Sequence, residues 1–244
     1  MIKLFRKIRQ NLLSQNKLSK YLIYAIGEII LVVIGILIAI QINNLNENKK
    51  LNIIAHQYLK GIETDLKKDI TQIDSILNRL TLAVGMISSV ENIYKGEFYK
   101  PNEYNSLFNN LDTSKTNLLF YRGMSFRANR GTYNSLISDG KTGIIKDREL
   151  YQKIQEIYDE LNPRISSTYE NLKEIEGRIW QNYPFQKKTW NYSDLKNSTN
   201  DKIFLDLSNF TEEKYFYAQN LYDLKIQINK TLELLEHLNS EKIL

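Results

Sequence analysis

The chain has 244 residues, 33 basic and 28 acidic side chains, a net charge of +5 and no cysteine, so it has no disulfide framework, thiol nucleophile or cysteine metal site. The pI near 9.0 invites a nucleic-acid reading. However, Lys3, Arg6, Lys7, Arg9, Lys17 and Lys20 all precede the first acid, Glu28, and the remainder is electrically balanced, so no basic face is laid out for phosphates and no nucleic-acid partner is expected.

In chain order, residues 2–13 place Ile2, Phe5, Ile8 and Leu12 near one helical stripe with basic residues elsewhere. This reads either as a short amphipathic helix on an anionic leaflet or as a basic flank that only sets topology. Tyr21 to Ile42 follows as one apolar run with a single carboxylate, Glu28, and Ser19 can cap its helix. A hydrocarbon core of ~30 Å needs ~20 helical residues, so the length matches. Its leucines, isoleucines and valines contribute on the order of −6 kcal/mol, against ~2 to 3 for one off-centre carboxylate, and insertion is favoured. Basic residues stay on the cytoplasmic side, which predicts the N-terminus inside and residues 43–244 outside. A cleaved signal peptide would have a shorter apolar region and a small-residue cleavage site, whereas Gln41-Ile42-Asn43-Asn44 follows here. An uncleaved anchor is expected.

No glycine or proline lies between Asn43 and Lys50, so the membrane helix is expected to continue. A heptad then places Leu59, Leu66, Ile73, Leu80, Ile87 and Tyr94 at one core position, and Ile62, Asp69, Ile76, Ala83 and Val90 at the other. Gly96 and Pro101 are its predicted stop. Short helical patches follow at 103–111 and 129–138. A second long helix is predicted from Asp147, an N-cap residue, to Tyr183-Pro184. A kink or break is expected at Pro163, with Asn162 capping a fresh helix. Residues 184–210 read as a loop, and the last helix as about 211–240. The predicted fold class is all-α: one N-terminal transmembrane helix continuing into a long antiparallel helical bundle. The predicted organisation is a basic cytoplasmic segment (1–20), a transmembrane helix (21–42) and an extracytoplasmic helical bundle domain (43–244).

The run FRKIRQNLLS, then KYLIYAIGEIILVVIGILIAIQINNLNE, closely resembles an uncharacterised family of short single-pass membrane proteins common in Bacteroidota. A second match is TYNSLISDGKTGIIKDREL (Thr132 to Leu150). Leu45 stands where the family pattern has a tryptophan. The resemblance implies an integral membrane protein with an extracytoplasmic helical domain in the periplasm, anchored in the inner membrane, and implies no known activity.

Glu28 is the leading candidate for a functional role, being an ionisable residue within the membrane run. On a helix it shares a face with Gly35 and Ala39, whose small-x-x-x-small spacing lets helices approach closely. Glu28, Gly35 and Ala39 are therefore the predicted transmembrane packing residues, with a partnered or protonated Glu28 bonding across a helix pair, or else snorkelling to headgroups. Gly140-Lys141-Thr142 mimics part of a phosphate loop, but Ser135 stands where that pattern needs its first glycine, so a glycine turn is expected. His56 and His237 lie in separate helices without metal-ligand spacing. Arg122, Arg127 and Arg130, interleaved with Tyr121, Phe126 and Tyr133, read as an anion or planar-ligand group, or as a bundle end whose arginines pair with acids. Asp69 at a core position sets helix register or marks a wet seam. No catalytic grouping, metal site or cofactor is predicted. The expected role is non-enzymatic association, with a lipid bilayer and either a second copy or another membrane protein as partner. The alternative is an extracytoplasmic ligand-sensing domain that signals through a partner protein.

Overall fold

The computed structural model of the chain describes residues 18–90 and 111–241. Their regular structure is entirely helical, so the all-α expectation holds, and no strand occurs among the described residues. The segment at 2–13, the stop at Gly96 and Pro101 and the patch beginning at Glu103 lie outside the described residues.

Helix α1 (Leu18–Val90) is 73 residues long and contains no proline to stop it. The chain divides into two compact units that meet within α1, between His56 and Gln57. In the first unit every leucine, isoleucine and valine from Leu22 to Ile42 is exposed, and the helix is long and apolar enough to cross a membrane. In the second the heptad is realised as far as Val90, Tyr94 lying outside the described residues. Leu66, Ile73, Leu80 and Ile87 are buried at one position and Ile62, Asp69, Ile76 and Ala83 at the other, with Leu59 and Val90 half-buried against them.

Within the second unit a 3₁₀ helix (Thr113–Phe120) is capped by Asp112, whose side chain accepts from the Ser114 N–H. Residues 121–130 then form no regular element. Helix α2 (Gly131–Ser138) ends in a turn at Gly140, whose φ of +63° suits glycine. Helix α3 (Arg148–Gln155) is capped by Asp147, as predicted, through the Leu150 N–H at 3.0 Å.

The helix neither breaks nor restarts at Pro163. It passes through a π turn (Glu156–Leu161) directly into α4 (Asn162–Asn182). Proline offers no N–H to the carbonyl four residues back and its ring crowds that carbonyl; a widened turn accommodates both defects without ending the helix. Asn162 is therefore helical (φ −61°, ψ −44°) and caps nothing, contrary to expectation.

The expected loop 184–210 also needs correction. It contains α5 (Gln186–Thr189) and α6 (Tyr192–Asn197), the latter started by a reciprocal Asn191–Asp194 capping box. Helix α7 (Lys202–Glu241) begins nine residues before Thr211. Phe204, Leu207 and Phe210 are buried and extend its apolar stripe backward, so helix continuation buries more surface than a loop would.

Side-chain pairings give the topology. Asn220 meets Thr168 and Asp206 meets Tyr183, so α4 and α7 are antiparallel. The Asp74–Lys225 pair, with Lys67 feeling the charge of Glu236, makes α1 and α7 antiparallel as well. Helix α1 and the α3–α4 helix thus run the same way, and the leg between them must return. That leg is residues 121–130: Arg127, Asn129 and Thr132 meet Gln72, Asp69 and Asp65 in descending order. Trp180 and Tyr158, which hold the carbonyls of Phe120 and Asn129, are separated by ~33 Å of helix. Nine residues approach that span only when extended, at ~30–32 Å. The bundle expectation therefore holds for the long helices, but one leg is an extended strap rather than a helix.

Candidate functional site

The three predicted membrane-packing residues all lie on α1. Gly35 and Ala39 are one turn apart on one face, both exposed, and Glu28 is partly buried. A Cβ built at Gly35 meets nothing within 4 Å. His56 and His237 are exposed and distant in sequence. Among the described residues no group of three or more His, Asp or Glu side chains is placed to hold a metal.

The chemically dense region is the strap. An extended segment inside a bundle presents backbone groups that no helix or sheet satisfies, and here side chains of four helical stretches satisfy them. Lys214 Nζ donates to the carbonyls of Leu118 and Leu119 at 3.0 and 2.8 Å. Trp180 Nε1 donates to Phe120 O at 3.0 Å. The Arg122 N–H donates to Glu176 Oε1 at 3.0 Å. Tyr217 accepts from the Phe126 N–H and donates to Met124 O. Gln72 takes the Arg127 N–H at 2.6 Å and returns a bond to Arg127 O at 3.1 Å. Tyr158 donates to Asn129 O. Gly123 (φ +90°) bends the strap in a conformation that suits glycine, and a Cβ there would come within 3.1 Å of Leu80 Cδ2.

Lys214 is fully buried, with its amine 3.9 Å from the Phe210 ring centroid. Burial pushes it well below the ordinary lysine range, opposed by the charge of Glu176. Its two acceptors lie in the last turn of the 3₁₀ helix, where carbonyls run out of partners within the helix, so the lysine acts as a C-terminal cap. Glu176 pairs with Arg122 at 2.7 Å. A hydrogen bond from Arg122 Nε to the Tyr169 hydroxyl at 2.8 Å, with the charge of Glu176, raises Arg122 above its ordinary value despite desolvation.

Asp69 is completely buried, and its Oδ1 accepts from both the backbone N–H and the side-chain amide of Asn129, at 2.9 and 2.7 Å. Burial raises its carboxyl above the usual range, against the lowering effect of those bonds. The odd polar residue of the heptad is thus the clamp for the strap. Replacing Asp69 by alanine should destabilise the protein by about 2–4 kcal/mol, because two partly buried donors lose their acceptor, whereas asparagine should cost about 1 kcal/mol or less. Chemical denaturation of the two variants checks this; equal losses would contradict it.

The arginine group divides. Arg122 is paired as described, and Arg130 pairs with Asp159 at 3.2 Å while lying over the stacked rings of Tyr133 and Tyr158. For these two the acid-pairing reading is right. Arg127 is held through its backbone alone, and its guanidinium has no partner among the described residues. Beside it, strap and α4 border an open groove of about 510 Å³. Asn162, directly after the π turn, lines this groove; it is buried, and neither amide atom has a hydrogen-bond partner among the described residues.

Sequence reasoning singled out Asp69 and the arginines but missed Gln72, Tyr169, Glu176 and Lys214. The available signal was polarity on an apolar stripe. Lys214 falls between Phe210 and Tyr217 in register with Leu221, as Asp69 falls in the heptad.

No curated protein and no solved structure matches the chain significantly. One family profile does, from Glu28 through the heptad, the strap and the π turn to Glu213, and the chain is therefore a member of the family of unknown function DUF6090.

Proposed function

We propose that the protein is an inner-membrane, single-pass protein with a non-enzymatic role, its N-terminus cytoplasmic and its helical domain periplasmic. It acts by association with a second copy or another membrane protein through the α1 face of Glu28, Gly35 and Ala39. The observation that carries this reading is the apolar run from Leu22 to Ile42, in which every leucine, isoleucine and valine is exposed. A water-facing helix of this composition would leave a patch far beyond what soluble proteins tolerate, and a bilayer removes it. The basic residues before Tyr21 support the orientation. The small residues support close helix approach, and a carboxylate placed ~10 Å into the span supports a bonded partner.

After an alkaline carbonate wash the chain should remain with the membrane fraction, and protease added to spheroplasts should digest residues 43–244. Release into the wash, or protection of that region, would overturn the anchoring and the orientation respectively. Glu28→Leu should reduce crosslinked dimer or partner recovery severalfold, and unchanged recovery would remove the packing role. The alternative, a ligand-sensing domain signalling through a partner protein, draws support from the groove beside the strap.

A further inference from the structure

Isolated exposed apolar side chains are ordinary on a protein surface, but the turn after α4 gathers three aromatic ones. Phe185 is 79 % exposed, the highest value among the large apolar side chains of the described residues, and Trp180 and Tyr121 are each 39 % exposed. The rings of Tyr121 and Trp180 meet edge to face, 5.6 Å between centroids, and the bond from Trp180 Nε1 to Phe120 O fixes the indole. The Lys187 N–H closes the turn onto Tyr183 O at 3.3 Å, which brings Lys187 Nζ to 4.4 Å from the Trp180 ring centroid. Phe185 is the middle of that turn. Its side chain caps nothing in α5 and stands outside the core, so the fold gains nothing from its ring.

Charge collects at the same place. The chain after Glu28 is balanced as a whole, yet from Gly177 to Ser193 Arg178, Lys187 and Lys188 occur without a single acidic residue. Arg178 and Lys188 are exposed. Helix α4 runs the same way as α1, so this tip lies at the C-terminal end of α1, where Ser89 Oγ is 2.8 Å from the Tyr192 hydroxyl.

A protruding phenyl ring, two aromatics able to sit at headgroup level and a cluster of cations are what binding to a lipid surface requires, since affinity there scales with inserted apolar area plus attraction to anionic lipid. A protein partner calls instead for a contact of ~800 Å² a side, more than three partly exposed rings supply. We propose that this tip docks on an anionic lipid surface, with Phe185 entering the acyl boundary, Trp180 and Tyr121 among the headgroups, and Arg178, Lys187 and Lys188 on the phosphates. The site stands independently of how the chain is anchored.

The test holds the full chain in phosphatidylcholine nanodiscs and measures its flotation with added vesicles. Vesicles of about one-third phosphatidylglycerol should carry it up the gradient, and pure phosphatidylcholine vesicles should not. Phe185→Ser should melt as wild type, its ring being outside the core, and should lower recovery at least tenfold. Phe185→Trp should retain recovery, and anionic vesicles of brominated lipid should quench its added emission. Lys187→Glu with Lys188→Glu should lower recovery at least fivefold. Lys3→Gln, Arg6→Gln, Lys7→Gln and Arg9→Gln together should leave it unchanged, because that basic segment is not the contact. Absence of flotation with anionic vesicles would overturn the proposal, as would recovery unchanged by Phe185→Ser or abolished by the N-terminal substitutions. Clustering of nanodiscs without vesicles, removed by Phe185→Ser, would make a second copy the occupant and overturn it equally.

Discussion

Replacing Glu176 by alanine is expected to destabilise the protein by about 3 kcal/mol. Removing one member of a buried ion pair leaves the other uncompensated, which costs ~3–5 kcal/mol. Arg122 is 29 % exposed against 9 % for Glu176, so solvent screens part of the loss and the lower end applies. The loss also reaches the backbone, because the Arg122 N–H bonds the other carboxylate oxygen, and it reaches Lys214, whose amine feels the same charge. Urea denaturation of Glu176→Ala and Arg122→Ala, with their double variant, measures the coupling. If both singles fell within 1 kcal/mol of wild type, strap retention by this pair would be disproved.

Lys214 is expected to make the protein more stable as pH rises toward 10. Its folded-state pKa is depressed by burial, while the unfolded lysine titrates at ~10.4. Between those two values the unfolded chain holds a proton that the folded chain does not, and stability increases with pH. One such proton gives a slope of up to ~1.4 kcal/mol per pH unit. Above about pH 10 the sign reverses. Burial raises Tyr133, Tyr158 and Tyr217, so they ionise first in the unfolded chain and draw it away from the fold. Denaturation midpoints should therefore rise through the neutral-to-alkaline range and then fall. Lys214→Met should flatten the rising limb while leaving the falling one. A midpoint curve of unchanged slope in Lys214→Met would show that the lysine is not the group responsible.

Both predictions concern side chains whose importance sequence patterns under-report. Helix periodicity locates Leu66, Ile73 and Leu80 because apolar residues at heptad spacing have one low-energy arrangement. A glutamate such as Glu176 or a lysine such as Lys214 on a helix is ordinarily solvated, and only the strap lying against it makes it buried. The strap itself has no sequence period, since an irregular extended segment is held by partners distant along the chain. Glycines at 123, 131, 140 and 143 marked the region as broken, yet they distinguish a surface loop from a threaded strap no better than chance composition would. Pro163 was legible as a defect, but whether a helix breaks, kinks or widens depends on what holds its two halves. Here α7 packs along the whole of the neighbouring helix.

The order of residues alone determined the apolar run that suits a bilayer, the heptad of α1, the Asp147 cap, the Gly140 turn and the all-helical class. Each of these rests on interactions between residues a few positions apart, so local spacing carries the information. Tertiary structure decided that the returning leg is extended, that Asp69, Glu176 and Lys214 hold it, that α7 begins at Lys202, and that the Asn162 amide is buried without a partner among the described residues. Those outcomes depend on which backbone groups would otherwise be buried unbonded, a condition that exists only once distant segments are brought together.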